Sequence, residues 1–381
     1  MSNVELMQVA GAAVAALLPG RELFGFEPLG SGHINDTLLV TFAAGTPRQA
    51  VLQRLNRAVF PEPEKIMANL VVLADHLAAR LALEPPGGAD PRVVVRPLGG
   101  VAGQPYFRDP GGDFWRLITY VGDAENKERL DTPEVAREAG RGLGVFHRLV
   151  ADLEPSRLAD TLPGFHVAPA YLAAYDRLLA AGRVGAGLPG ETNCHAIIEA
   201  HRELAGVLEE AVGRGVLHPR VIHGDPRLAN LLFDRVSGRA VALVDLDTVK
   251  PGLLHYDLGD CLRSCCNPAG DDPEDLAAVR FDLEIGRHLL TGYLAEAGAT
   301  LSDSDYQFVY PALRLLAFEL GLRFFSDHLA GDRYFRVARP GQNLHRALGQ
   351  FRLLAEIEAQ EEQIQSLIAE VRVTLAVRCR R

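Results

Sequence analysis

Residues 221–247 constrain this chain more than any other stretch. They begin Val-Ile-His223-Gly224-Asp225-Pro-Arg-Leu-Ala-Asn230, and fifteen residues past Asn230 comes the Asp of Leu243-Val-Asp245-Leu-Asp247. Phosphoryl transfer needs one carboxylate to orient an attacking hydroxyl, and oxygen ligands for a Mg²⁺ that bridges the phosphates. A loop carrying Asp225 and Asn230, opposite an Asp at the end of a strand, supplies both. The plainer alternative is a surface Asp/Asn turn beside an unrelated buried Asp. A lone H-G-D would not decide between them, but H-G-D-x4-N with a strand-borne D-x-D is rare by chance.

The rest of the chain must build a frame for that loop. Apolar, β-branched and aromatic runs predict strands over 24–29, 37–42, 50–55, 92–97 and 114–121, with a turn-rich segment at 105–113. Pro61 and Pro63 open a helical pattern reaching about residue 83. After Gly122 helical periodicity dominates, over 132–149, 168–181 and 194–212. A strand pair at 231–233 and 240–246 interrupts it, and helices return from about 273, ending in a charged helix over 344–376. The reading is a small sheet lobe, then a large helical one, joined near 119–123.

Composition excludes other classes. With 381 residues, 48% hydrophobic and 23% charged, the chain can bury a substantial core. A formal net charge of −10 lacks the basic footprint of a nucleic-acid binder. No apolar run reaches the roughly 18–20 residues of a membrane span. The apolar stretch 9–18 has Glu5 before it and no basic residue, so it reads as a helix rather than a secretory signal. A soluble, cytoplasmic protein is expected. The five cysteines (Cys194, Cys261, Cys265, Cys266 and Cys379) include no CxxC, so reduced, mostly buried thiols are expected over a metal site built from Cys261, Cys265, Cys266 and His255. Lys65, Lys127 and Lys250 are the only lysines among 39 cationic residues. Arginine favours bidentate contact with phosphate and carboxylate, but a genome-level codon bias gives the same skew and is the first explanation.

The 221–247 motifs resemble those of the aminoglycoside phosphotransferase superfamily, which shares the protein-kinase fold. The resemblance implies a bilobal α+β protein: an antiparallel-sheet N-lobe (1–121) that binds nucleotide, and a larger, mainly helical C-lobe (122–381) that carries catalysis and acceptor. It implies Asp225 as the base, Asn230 and Asp245 as Mg²⁺ ligands, His223 as packing behind the loop, and Asp247 as an aid to metal or water.

A second motif, Leu29-Gly30-Ser31-Gly32-His33-Ile-Asn-Asp-Thr37, sits between two predicted strands. It lacks the third glycine and following helix of a Rossmann fingerprint, and the Gly-Lys-Ser/Thr of a Walker A loop. It fits the kinase glycine-rich loop, with Gly30, Ser31 and Gly32 over the nucleotide phosphates. The third strand, Ala50-Val-Leu-Gln53-Arg54-Leu-Asn56, has no kinase lysine. Counting two residues on from Leu52 assigns Arg54 the phosphate role and turns Gln53 the other way. On the next helix the acidic partner is not evident: Asn69 stands near the expected spacing and Glu64 a turn and a half earlier. The backbone of Tyr120 and Val121 is expected to meet adenine at the lobe join.

Further segments narrow the resemblance to the N-acetylhexosamine 1-kinase branch over about 25–355. They are the His33 loop, the 51–56 run, Val-Asp-Leu-Asp-Thr-Val-Lys-Pro-Gly-Leu, Phe318-Glu-Leu-Gly-Leu-Arg323-Phe-Phe-Ser-Asp-His, and Gly331-Asp-Arg-Tyr334-Phe. That branch implies ATP and the anomeric hydroxyl of N-acetylglucosamine or N-acetylgalactosamine as substrates, with His33, Asp225, Arg323 and Tyr334 about the sugar. Ser264 departs from it, because the branch places an aromatic after the Arg. An aminoglycoside acceptor is disfavoured: residues 314–352 hold seven arginines against Glu319, Asp327 and Asp332. Choline-like or homoserine-like alcohols remain alternatives. A nucleotide-binding pseudokinase, suggested by the missing lysine, conflicts with the presence of Asp225, Asn230 and Asp245. Neither nucleic acid nor membrane is expected as a partner, and the chain is expected to be a monomer or weak homodimer.

Overall fold

The computed structural model describes residues 3–30, 34–85, 88–99, 104–127 and 129–378. After helix α1 (Asn3–Leu17), strands β1 (Leu23–Pro28), β2 (Asp36–Phe42), β3 (Gln49–Leu55), β4 (Phe107–Arg108) and β5 (Phe114–Thr119) form an antiparallel sheet ordered β1-β2-β3-β5-β4. Helix α2 (Pro63–Leu81) lies between β3 and β4 in sequence. Side chains alternate between the sheet's two faces, and each face has its own core. Leu38, Val40, Leu52, Trp115 and Leu117 pack with Ala10, Ala13, Val14 and Leu17 of α1. Leu55 and Phe114 turn the other way, into the main core with Ile66, Met67, Leu70 and Leu77 of α2.

The segment expected as a strand over 92–97 is instead a single 3₁₀ turn, Pro91–Val93, with one bridge from Pro97 to Ile118. The cause is local. Asp90 caps the turn through the Arg92 N–H at 2.9 Å, and Pro91 occupies its first position. A short strand, β4, appears within the turn-rich segment 105–113.

The helical lobe begins with β6 (Ala124–Glu125) and α3 (Pro133–Leu149), then α4 (Ala168–Ala180), α5 (Glu191–Ala200) and α6 (Val207–Gly213). The helix expected over 194–212 is thus broken by a 3₁₀ segment, Arg202–Gly206. Strands β7 (Arg220–Ile222), β8 (Leu231–Asp234), β9 (Ala240–Leu243) and β10 (Lys250–Gly252) follow; β7 pairs with β10, and β6-β8-β9 form a second small sheet. Then come α7 (Leu254–Cys265), α8 (Leu283–Ala297), α9 (Asp303–Gln307), α10 (Val309–Ala330), α11 (Gln342–Ala359) and α12 (Glu361–Arg378). The charged C-terminal segment is therefore two helices, broken at Gln360, whose side chain donates to the Phe281 carbonyl at 3.1 Å. Helices α3 and α8 cross at glycine: a Cβ on Gly140 would lie 1.9 Å from the Leu289 carbonyl oxygen. Cys194, Cys261, Cys265 and Cys266 are buried and unbridged, while Cys379 lies outside the described residues. Among the described residues no helix is long and apolar enough to cross a membrane.

Candidate active site

The loop after β7 is held from beneath by one carboxylate. Asp257 on α7, fully buried, accepts the backbone N–H groups of His223 at 2.7 Å and Gly224 at 2.8 Å. His147 on α3 binds the same carboxylate at 2.9 Å, and Tyr293 on α8 meets the other side of that imidazole at 2.9 Å. Burial opposes the Asp257 charge, but His147, and then His223 with its backbone N–H, outweigh it and hold its carboxyl below the usual range. Gly224 turns with φ +87, and a Cβ there would sit 2.7 Å from the Thr248 carbonyl oxygen, so the loop needs glycine at this point. Asp257 has no motif of its own in the sequence, being one of two acids, with Asp260, in the segment 253–262.

His223 is buried behind the loop, as expected. Burial lowers its pKa and favours the neutral ring. Its Nε2 faces only the Val244 carbonyl, at 3.0 Å, so Nε2 carries the hydrogen and Nδ1 can accept the Asp225 N–H at 3.3 Å. His166 sits on the other side. Its Nε2 donates to the Gly224 carbonyl at 2.9 Å and its Nδ1 meets Glu319 of α10 at 3.0 Å. Burial works against the imidazolium, yet Glu319 outweighs it and raises the His166 pKa.

Asp225 is partly exposed. Arg227 pairs with it at 2.7 Å, and Asn230 Nδ2 donates to its carbonyl at 2.8 Å and its carboxylate at 3.1 Å. Burial would raise its pKa, but Arg227 and then the neighbouring histidines hold it below the usual range. The Asn230 amide oxygen is left without a donor among the described residues. The Val244 N–H donates to the Asn230 carbonyl at 2.9 Å, tying the loop to the segment that carries Asp245.

Asp245 adopts a left-handed conformation, φ 63, uncommon for a residue other than glycine and a recurrent feature of functional turns. Its side chain is exposed, yet the desolvation of the site, then the Asp247 and Asp225 carboxylates, push its carboxyl up to about 7. Such crowding of negative charge is relieved by a cation. Among the described residues no group of three or more His, Cys, Asp and Glu side chains is arranged to hold a metal. A carboxylate with a free amide oxygen suits Mg²⁺ nonetheless, since that ion keeps several waters and takes further oxygens from substrate phosphates. Asp247, expected to aid metal or water, is instead buried, paired with Arg116 at 2.5 Å and accepting from Asn35 at 2.8 Å.

On the N-lobe side, Gly30 has φ +74, and the Leu29 N–H to Thr37 carbonyl bond at 3.0 Å closes the hairpin beneath the loop. Ser31, Gly32 and His33 lie outside the described residues. Tyr120 and Val121 follow β5 directly, and their backbones enter no turn or loop hydrogen bond among the described residues. Arg54 is where the geometry departs most from expectation. It pairs with Asp36 and with Asp113 at 2.8 Å and covers Trp115, on the α1 face of the sheet. The face turned toward Asp247 carries Gln53 and, opposite it on β5, Arg116. Leu52 belongs to the α1 core, so counting from it selects the α1 face and not the one turned toward Asp247. Glu64 pairs with Arg108 at the surface, while Asn69 is buried and bonds to Ala159 and Val249 of the C-lobe.

Arg323 on α10 is ringed by Phe165, Tyr171, Tyr334 and Phe335, at 5.0–5.9 Å from each centroid, with Glu319 at 3.8 Å. Contacts from Arg323 to Glu319 to His166 to Gly224 link this cage to the Asp225 loop. Tyr334 is 58% exposed and forms its outer wall. Arg263, beside Ser264, is buried between Asp260 and Asp271, at 2.8 and 2.5 Å.

Solved structures share this architecture. A choline kinase from Cryptosporidium parvum Iowa II aligns with a TM-score of 0.57 at 12% identity, over 96% of this chain and 99% of that one. A choline/ethanolamine kinase family protein from Mesorhizobium loti gives 0.53 at 19%, over 97% and 99%. Spectinomycin phosphotransferase in complex with ADP and spectinomycin gives 0.56 at 11%, over 95% and 99%. They bear out the kinase-like fold, a small antiparallel-sheet lobe set on a mostly helical one. The model of the APH phosphotransferase enzyme family matches residues 25–311, a span that includes the glycine loop, Asp225, Asn230, Asp245 and the Asp257 anchor. By that match, this chain belongs to the APH phosphotransferase enzyme family.

Proposed function

We propose that this chain is a small-molecule kinase that transfers the γ-phosphate of ATP to the anomeric hydroxyl of N-acetylglucosamine or N-acetylgalactosamine. Residues 1–121 bind the nucleotide and residues 122–381 the acceptor. The observation that carries phosphotransfer is the Asp225 loop: a carboxylate kept ionised by Arg227, its backbone fixed by Asp257, with Asn230 and Asp245 beside it. In this reading Asp225 accepts the acceptor's proton as the hydroxyl attacks the γ-phosphorus. Mg²⁺ bound by Asn230 and Asp245 would neutralise charge on the phosphates. Gly30, Ser31 and Gly32 cover those phosphates, and the backbone of Tyr120 and Val121 meets adenine.

The Arg323 cage favours a neutral acceptor. Aromatic cages bind quaternary ammonium groups well, but this one already holds a cation from its own chain. Guanidinium N–H groups beside Tyr334 suit the hydroxyl and amide oxygens of an N-acetylated sugar, and His33 is the residue of the glycine loop assigned to the same acceptor. The test is ATP and Mg²⁺ with a panel of free sugars, choline, ethanolamine, homoserine and aminoglycosides, the product identified by ³¹P NMR. A sugar 1-phosphate supports the reading. Turnover confined to amino alcohols or aminoglycosides overturns the acceptor, and no turnover with any of them overturns the kinase.

A further inference from the structure

We propose that Arg116, on β5, supplies the phosphate-binding cation that kinases ordinarily place on β3, with Gln53 as its holder and Asp247 as its counter-ion. The inference rests on the phosphotransfer reading above and adds a binding residue to that site. In a protein kinase the β3 lysine pairs with a glutamate of the next helix, and both must be charged. Here neither place carries charge. The β3 residue on the inward face is Gln53, and the buried polar residue of α2 is Asn69, whose amide is spent on C-lobe backbone.

The missing charge pair reappears one strand over. Gln53 and Arg116 are directly opposite in the β3–β5 register. Thr37 accepts from Gln53 Nε2 at 3.0 Å, which fixes the amide so that its oxygen faces Arg116. That oxygen accepts from Arg116 Nε at 3.0 Å and Nη2 at 2.7 Å. Nη2 also pairs with Asp247 at 2.5 Å, two residues past Asp245. Asp247 in turn holds Asn35, where the glycine loop rejoins β2. The guanidinium is therefore pinned between the base of the glycine loop and the D-x-D turn. Its Nη1 is buried and has no hydrogen-bond partner among the described residues. A buried cationic donor left unpaired is costly, and a nucleotide phosphate oxygen at this place would satisfy it.

The test is calorimetric titration of the full chain with MgATP, MgADP and adenosine. Arg116→Gln should weaken MgATP and MgADP by about tenfold to a hundredfold, the worth of a hydrogen bond to a charged group, and leave adenosine unchanged. Adding Gln53→Lys to Arg116→Gln, which returns the cation to β3, should restore MgATP to within about tenfold of the native affinity. Unchanged MgATP binding by Arg116→Gln overturns the proposal, as does an equal loss for adenosine, which would mark a purely structural role. If Arg116→Gln does not fold, the double variant decides, and MgATP binding more than about tenfold weaker than native then overturns the proposal. Binding is read rather than turnover, so a wrong acceptor leaves the result decisive. A native chain that binds no MgATP sinks this proposal together with the kinase reading.

Discussion

At the residue scale, the chemistry of the site turns on which carboxylate does what. Asp225→Asn keeps the shape of the side chain but removes the proton acceptor, so kcat should fall by about 10²–10⁴ with nucleotide affinity largely kept. Steady-state kinetics beside a nucleotide titration checks it; near-native turnover would remove Asp225 from the reaction. Asp245→Asn should behave differently. Asparagine accepts the left-handed backbone well, and losing one of three crowded carboxylates should raise Tm in the absence of Mg²⁺. The same change should flatten the dependence of turnover on Mg²⁺ concentration, and a variant that melts lower without metal would contradict the charge argument. These residues were legible because motif spacing carries them. Arg116 was not. β3 has apolar side chains on both faces, Val51 and Leu55 on one and Leu52 on the other, so alternation alone could not say which face turns toward Asp247.

At the scale of elements, His166 ties the Asp225 loop to α10. Its pKa is raised in the folded protein, so the stability it adds is complete below the unfolded value, near 6.5. That stability is lost as pH rises through the folded value. Glu319→Gln removes the partner that holds the charge. The native protein's advantage over this variant, measured by denaturant unfolding, should be larger at pH 6 than at pH 9. An advantage independent of pH would show that the imidazole is neutral in the fold. Most elements were readable from periodicity and proline punctuation, from β1 to β3 and from α2 to α4. Apart from the locally capped turn at Pro91–Val93, the failures share a cause: strands of two or three residues such as β4, β7 and β10, and breaks such as Gln360, are set by tertiary partners rather than by local pattern.

For the whole molecule, the question is how two lobes stay in register. Asn69 answers part of it, because its amide donates to the Ala159 and Val249 carbonyls and accepts the Ala159 N–H, at 2.8–2.9 Å, across the lobe boundary. Asn69→Ala leaves those backbone groups buried and unpaired, and should cost about 2–4 kcal/mol of unfolding free energy; a loss below about 0.5 kcal/mol would mean that water or backbone shifts replace them. The two-lobe order itself was plain in the sequence, as sheet runs give way to helical periods after Gly122. What joins the lobes was not, since an asparagine on a helix advertises no partner 90 or 180 residues away. The Asp257 anchor carries one more consequence. The two amide protons it holds, on His223 and Gly224, point into the helical lobe rather than toward substrate. To trade them for deuterium the protein must first separate α7 from the loop, which dismantles the packing of His147 and Tyr293 as well. Those two hydrogens should exchange on the clock of global unfolding, making the loop that carries Asp225 one of the slowest of the molecule to open.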